Sequence, residues 1–127
     1  MSQKGRIFLL DDDELIISML SRSLQKEGYD THLLSSSEHA VEKICAWQPN
    51  ALLLDVDLGE GPNGLDLLEM LQAEGIDFPV IMLTADDSAE SAIRAMRNGA
   101  ADYLTKPFNV EEVKIVLERL LATTRLK

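Results

Sequence analysis

Short apolar runs alternate with amphipathic stretches along the whole chain. Ile7–Leu10 is continuously hydrophobic, and after it Leu15, Ile16, Met19, Leu20 and Leu24 recur at helical spacing. That pattern predicts a strand followed by a helix, with Gly28 just past the helix end as its stop. Tyr29–Leu34 alternates more weakly and predicts a half-exposed strand. Ser35-x-x-Glu38 has the spacing of a capping box and predicts a helix running through Trp47, with Pro49 beyond it. Ala51–Val56 predicts the third strand, and Asn63 a cap for a helix that carries Leu65, Leu68 and Leu71 and ends at Gly75. Val80–Leu83 predicts the fourth strand, and Asp87-x-x-Glu90 a cap for a helix with Ala92, Ile93 and Met96, stopped by Gly99. A short fifth strand is expected near Asp102–Leu104. Asn109-x-x-Glu112 should cap a last helix bearing Val113, Val116, Leu117, Leu120 and Leu121.

Strand-plus-helix units in strict succession, without a repeat, long linker or low-complexity tract, predict an α/β fold on a parallel sheet. Continuous hydrophobicity in the first, third and fourth strands means both of their faces are covered. Right-handed crossovers then place helices on both sides and gather the carboxyl ends of the strands along one rim. In open sheets of this kind, ligands bind outside those ends, where the strand order reverses.

The polar residues at the strand ends give that rim its chemistry. Asp11-Asp12-Asp13 follows Ile7–Leu10, Asp55 ends Ala51–Leu54, Thr84 follows Val80–Leu83, and Lys106 follows Tyr103-Leu104-Thr105. Brought together, they form a group of carboxylates, a hydroxyl and an ammonium suited to metal-assisted phosphoryl chemistry. A carboxylate is a competent nucleophile toward phosphorus, and such transfer depends mainly on positioning and charge neutralisation. Clustered carboxylates repel one another and favour protonation unless a cation sits among them. Mg²⁺, which takes oxygen ligands and keeps several waters, is the natural choice. Each residue also has a plainer role. Asp13 at a helix start is expected only to cap free N–H groups, whereas capping does not call for a run of acids, so Asp11 and Asp12 are assigned to the metal.

Length and charge narrow the function classes. At 127 residues, one domain spanning 1–127 with a single core is expected. Hydrophobic residues make up 46% and aromatics 5%, predicting an aliphatic core. A net charge of −10 argues against direct nucleic acid binding and against an anionic membrane surface. The run Ile7–Leu10 is too short for a signal-peptide core, and no stretch approaches a membrane span. The lone Cys45 cannot form an internal disulfide, which suits a reducing compartment; a cytoplasmic protein is expected. Cys45 reads as a small apolar helix residue, and Trp47 and Phe108 as packing residues. His32 and His39 are too few and too isolated for a metal site.

All of these motif blocks, in this order and over essentially the full length, resemble the receiver domain of two-component response regulators. The resemblance implies a flavodoxin-like (βα)5 three-layer sandwich with a parallel sheet ordered 2-1-3-4-5. It implies that Asp55 is the phospho-acceptor and that Asp11 and Asp12 help hold Mg²⁺ together with Asp55 and the backbone carbonyl of Asp57. Thr84 and Lys106 match the phosphoryl-contacting hydroxyl and amine. Tyr103 matches an aromatic switch position, and Lys106-Pro107 a peptide bond that is commonly cis. The implied phosphodonor is a histidine kinase or histidine phosphotransfer protein, and Asp55 would be self-phosphorylated and self-dephosphorylated without other enzymatic turnover. The implied output is altered partner binding on the face of the fourth helix, fifth strand and fifth helix, with homodimerisation there as one form. No winged helix, helix-turn-helix or catalytic domain is visible in these residues. Two readings follow: a single-domain regulator or relay, and a receiver cut from a longer chain with an output domain.

Two competitors share parts of the pattern. Asp55-Val56-Asp57 after an apolar strand resembles the nucleophile motif of haloacid-dehalogenase-type phosphatases, which also use an aspartyl-phosphate and Mg²⁺. In that family the acidic pair follows the lysine, whereas here it opens the chain, and there is no length for a cap. A degenerate receiver that only binds protein is the other competitor, but no key position is missing. One departure from the receiver pattern stands out. Leu58-Gly59-Glu60-Gly61-Pro62-Asn63-Gly64 lacks the usual proline after Leu58 and places Gly64 nine positions after Asp55, one more than usual. Asp57 and Asp86, each two positions beyond a site residue, are expected to govern how water reaches the acyl phosphate.

Overall fold

The structure is a computed structural model and describes residues 4–125, with side chains described through residue 122. Its elements alternate without exception: β1 (Gly5–Leu10), α1 (Glu14–Lys26), β2 (Tyr29–Leu34), α2 (Ala40–Trp47), β3 (Ala51–Asp55), α3 (Gly64–Ala73), β4 (Val80–Thr84), α4 (Ala89–Arg97), β5 (Asp102–Thr105) and α5 (Val110–Arg125). The strands form one parallel sheet in the order β2-β1-β3-β4-β5, the expected flavodoxin-like order.

Period-two alternation along the strands splits the core into two layers. Phe8, Leu10, Leu52, Leu54 and Met82 point to the side covered by α2, α3 and α4. Ile7, Leu9, Leu53, Ile81 and Leu83 point to the side covered by α1 and α5. Every residue of β3 and β4 is buried, which is why those strands read as continuous apolar runs. The edge strand β2 is only partly covered, matching its weaker pattern.

The helix starts divide into two groups. Asp13 accepts from the N–H groups of Leu15 and Ile16 and Asn63 caps α3, both as expected, and Asn63 goes further by forming a full capping box with Asp66. Asn109 accepts from the Glu111 N–H at 2.8 Å. The Ser35-x-x-Glu38 box does not form. α2 begins at Ala40 after His39 in a left-handed conformation with no side-chain cap. Ser36 instead accepts from the Glu38 N–H, and Ser37 donates to the Glu60 carbonyl. Local serine hydroxyls thus compete successfully for the groups a capping box would use. The α4 cap also shifts by one residue, from the expected Asp87 to Ser88, which accepts from the Ser91 N–H.

The apolar face of α1 differs from the expected one. Ile17, Leu20, Ser21 and Leu24 are buried, whereas Leu15 is 83% exposed and Met19 half-exposed. Two adjacent apolar stripes overlap in this helix, and the sheet takes the one containing Ile17.

Candidate functional site

The chain leaves β1 on one side to form β2, and leaves β3 on the other to form β4 and β5. The carboxyl ends of β1 and β3 are therefore neighbours at the point where strand order reverses. Asp11 follows the first and Asp55 ends the second. Leu10 pairs with Leu54, Asp55 with Leu83, and Thr84 with Thr105, so parallel register alone carries the expected side chains to one rim. Asp12, Asp55, Asp57, Thr84, Asp86 and Lys106 bound an open cleft of about 420 Å³ there.

Lys106 organises the acids. Its amine donates to Asp11 Oδ2 at 2.8 Å and to Asp55 Oδ2 at 3.2 Å. Its own N–H donates to the Thr84 carbonyl, and the Lys106-Pro107 bond that follows is cis, as expected. Asp11 is 2% and Asp55 3% exposed, so this is a buried charge cluster in which each carboxylate needs a partner. The remaining oxygens take local N–H groups: Asp13 donates to Asp11 Oδ1, and Asp57 to Asp55 Oδ1 at 3.3 Å.

One amine does not neutralise this group. Burial first, then the hydrogen bond and charge of Asp11, push the Asp55 carboxyl up to about 7 against the opposing pull of Lys106. Burial, then the charge and hydrogen bond of Asp11, also raise the exposed Asp12. Burial works to lower the Lys106 amine, but the bonds and charges of Asp11 and Asp55 outweigh it and leave the amine raised. The site has the electrostatics of a place short of positive charge.

The donor set fits Mg²⁺. Asp11, Asp12 and Asp55 each offer a carboxylate oxygen, and these atoms lie within 4.8 Å of one another. Mg²⁺ holds oxygens at about 2.1 Å, so opposed ligands stand about 4.2 Å apart, a difference that small side-chain rotations close. The ligands are all hard oxygens, and Asp12 is exposed where the ion would meet water.

Thr84 and Tyr103 meet at one residue. Thr84 is buried, and its hydroxyl oxygen accepts from the Asp86 N–H at 3.0 Å. The Tyr103 ring is half-buried against the core, and its hydroxyl donates to the Asp86 carbonyl at 2.6 Å. The Asp86 carboxylate accepts from the Ser88 N–H and the Ser91 hydroxyl, which lower its pKa. Asp86 therefore joins the hydroxyl, the aromatic ring and the start of α4.

The lengthened loop after Asp55 is fastened at several points. Leu58 is buried, Ser37 holds the Glu60 carbonyl, and the Gly64 N–H donates to the Val56 carbonyl at 2.7 Å. Gly59 and Gly61 both have positive φ, which explains two glycines in one turn. Gly64 serves a different purpose. A Cβ there would overlap the Asp55 carbonyl oxygen, so only glycine lets the first turn of α3 approach the Asp55 backbone.

A family model for the response regulator receiver domain matches residues 7–118. This chain belongs to the response regulator receiver family. The match leaves no place for the phosphatase resemblance of Asp55-Val56-Asp57. The receiver is 38% identical over 122 residues to the response regulator MprA of Mycobacterium ulcerans, covering 96% of this chain and 52% of that protein. It is 34% identical over 122 residues to the nitrogen assimilation regulatory protein NtrX of Azorhizobium caulinodans, covering 95% of this chain and 27% of that protein. The chain thus spans about half or less of these relatives' lengths. Among solved structures, a CheY-like receiver from Methanospirillum hungatei superposes with a TM-score of 0.91 at 27% identity, covering 98% of each chain. The Francisella response regulator 1452 receiver gives 0.88 at 30% identity, covering 94% of this chain and 98% of that one.

Several contacts of the receiver were not anticipated from sequence. Arg94 on α4 reaches Asp66 and Glu69 on α3. Asn63-x-x-Asp66 has capping-box spacing and could have been found; Arg94 carries no sequence signal. Cys45 is free and half-buried on α2, and His32 stacks on Phe8 beside Trp47. No helix among the described residues is long and apolar enough to cross a membrane.

Proposed function

We propose that this receiver accepts a phosphoryl group on Asp55 from a phosphohistidine of a kinase or phosphotransfer protein, with Mg²⁺ required, and that the modification changes its partner binding. The observation that carries the reading is the Lys106 amine placed between two buried acids, Asp11 and Asp55, in a cluster still short of positive charge. An oxygen of Asp55 attacks phosphorus, a carboxyl O–P bond forms, the histidine N–P bond breaks, and the freed imidazole takes a proton. Lys106 holds charge against the oxygens of the arriving group, and Thr84 offers its hydroxyl proton. Asp11, Asp12, Asp55 and the Asp57 carbonyl would hold Mg²⁺, which when bound supplies charge neutralisation at the phosphoryl oxygens. Self-phosphorylation and self-dephosphorylation at Asp55 are the only turnover this reading assigns.

Movement of Thr84 toward the phosphoryl group frees the Asp86 N–H. Asp86 also holds the Tyr103 hydroxyl and the first turn of α4, so the change reaches the α4–β5–α5 face. Ile93 and Met96 on α4 and Ile115 on α5 are exposed there and suit a homodimer or downstream partner. A donor protein must cover the rim, where Leu15 and Met19 beside the acidic triplet offer exposed apolar contacts. Residues 1–127 acting as one cytoplasmic domain, alone or joined to an output domain, complete the reading.

The test is incubation with Mg²⁺ and a small acyl phosphate, followed by intact-mass measurement. One added phosphate, absent in Asp55→Asn and absent with chelator, is the expected result. A parent protein that gains no mass under these conditions overturns the proposal in favour of a receiver that only binds partners.

A further inference from the structure

The lengthened loop between Asp55 and α3 raises a physical problem. It carries the Asp57 carbonyl assigned to the metal, yet two of its residues are glycines in left-handed conformations. Glycine backbone loses the most freedom when it is ordered, so the placement of this loop depends on the contacts that fasten it. Its far end must be held for the near end to be placed.

That far end is the Asn63–Asp66 capping box, and a cation outside the site braces it. Asn63 Oδ1 accepts from the Asp66 N–H at 2.9 Å, and Asp66 Oδ2 accepts from the Asn63 N–H at 3.1 Å. The other Asp66 oxygen, Oδ1, accepts from Arg94 Nη2 at 3.0 Å. Arg94 is itself fixed by two bonds to Glu69 Oε2, from Nε at 2.9 Å and Nη2 at 2.6 Å. One guanidinium thus joins α4 to two acids on successive turns of α3, using the planar donor fork that lysine lacks. Between the members of the box lies Gly64, packed directly on the Asp55 backbone.

We propose that Arg94 is a positioning residue for the phospho-acceptor loop. By holding Asp66 it fixes the capping box, the seat of Gly64 on Asp55 and, through the shortened free span, the Asp57 carbonyl. This route from α4 to the acceptor is separate from the one through Thr84 and Asp86, which enters α4 at its first turn. The inference rests on the receiver reading above, because it concerns the affinity of the same site. An isolated exposed ion pair contributes little to stability, and the effect expected here is on loop order and ligand affinity.

The experiment compares the parent with Arg94→Met, Arg94→Lys and Glu69→Gln. Loop amides of Asp57, Gly59 and Gly64 are followed by NMR without metal. The same proteins are then titrated with Mg²⁺ alone and with beryllofluoride in excess Mg²⁺, and their melting temperatures are measured. Arg94→Met is expected to move and broaden the loop amides and to weaken the Mg²⁺ and beryllofluoride dissociation constants by about three- to tenfold. Arg94→Lys, which keeps the charge without the fork, should recover only part of this. The effects of Arg94→Met and Glu69→Gln should be less than additive in the double variant. A lower melting temperature in Arg94→Met with unchanged loop amides and unchanged dissociation constants overturns the proposal, as does tighter ligand binding. If the parent itself binds neither Mg²⁺ nor beryllofluoride, the phospho-acceptor reading fails. The metal-free amides then still decide whether Arg94 orders the loop, with unmoved amides counting against it.

Discussion

Asp55→Asn tests the charge arrangement from which the proposed chemistry is drawn. In the folded chain the Asp55 carboxyl is pushed up to about 7, whereas in an unfolded chain it titrates near about 3.9. Between those values the folded protein holds a proton that the unfolded chain has released. Stability contributed by this group therefore falls as pH rises from about 4 to about 7, and the loss is complete above that range. Roughly three pH units at about 1.4 kcal/mol each set a ceiling of about 4 kcal/mol. Asparagine removes the charge but also takes one of the two carboxylates from the Lys106 amine, leaving Asp11 as its acidic partner. That loss offsets part of the gain, so about 1–3 kcal/mol of net stabilisation is expected at pH 8.

For a chain of this length, such a gain raises the melting temperature by about 4–10 °C. The assay is thermal unfolding of the parent and the variant in chelator at pH 5 and pH 8. The curves should lie well apart at pH 8 and converge toward pH 5, where the parent carboxyl is already protonated. Millimolar Mg²⁺ should narrow the pH 8 gap, because the ion binds only the folded parent's carboxylate set. A variant less stable than the parent at pH 8, or a gap unchanged between the two pH values, refutes the reasoning.

Three further outcomes follow from particular contacts. Gly64→Ala should destabilise the fold by about 3 kcal/mol, because a methyl group overlaps the Asp55 carbonyl; chemical denaturation reads this directly, and a neutral variant would contradict the close approach. Replacing Leu15 and Met19 with alanine should slow phosphotransfer from a phosphohistidine protein by about tenfold while leaving labelling by a small acyl phosphate unchanged; equal loss with both donors would place these residues in the fold instead. Asp57→Ala and Asp86→Ala remove exposed acids beside the cleft and should lengthen the life of the acyl phosphate by about threefold, measured by loss of added mass over time. Unaltered decay would show that neither acid influences the attacking water.

The strands were legible because β3 and β4 are buried along both faces, so hydrophobicity alone marks them. The site residues were legible for a related reason. Asp11 follows the buried end of β1, Asp55 and Thr84 close the buried β3 and β4, and Lys106 follows the half-buried β5, so parallel pairing converts these strand-end positions into a shared place. Features that depend on competition between equals were harder to read. Ser35, Ser36, Ser37 and Glu38 offer several local hydrogen-bond patterns, and the choice is made by the Glu60 carbonyl more than twenty residues away. In α1, apolar residues occupy two overlapping stripes, and only contact with the sheet selects Ile17 over Leu15. Arg94 was invisible for a third reason: an arginine on an exposed helix face has no pattern until its partners on α3 are placed.

Phosphorylation of Asp55 would relocate charge more than it would add to it. The carboxylate charge now beside Lys106 leaves the Asp55 oxygens when the acyl bond forms and reappears, enlarged, on phosphoryl oxygens farther out along the rim. Lys106 can follow while keeping Asp11, since an ammonium has three donors and the structure commits two of them to these acids. Thr84 has one proton, and its oxygen now serves the Asp86 N–H. Donating that proton outward while still accepting from Asp86 is chemically allowed for a hydroxyl. The Asp86 segment therefore need not move on first contact, and it responds only if Thr84 must change rotamer to reach the phosphoryl group. Thr84→Ser separates these cases, because serine turns without carrying a methyl group. If rotation of Thr84 drives the change at Tyr103 and α4, the serine variant should bind beryllofluoride normally yet transmit a smaller amide shift to Tyr103. Equal shifts in both proteins would show that charge alone moves the loop.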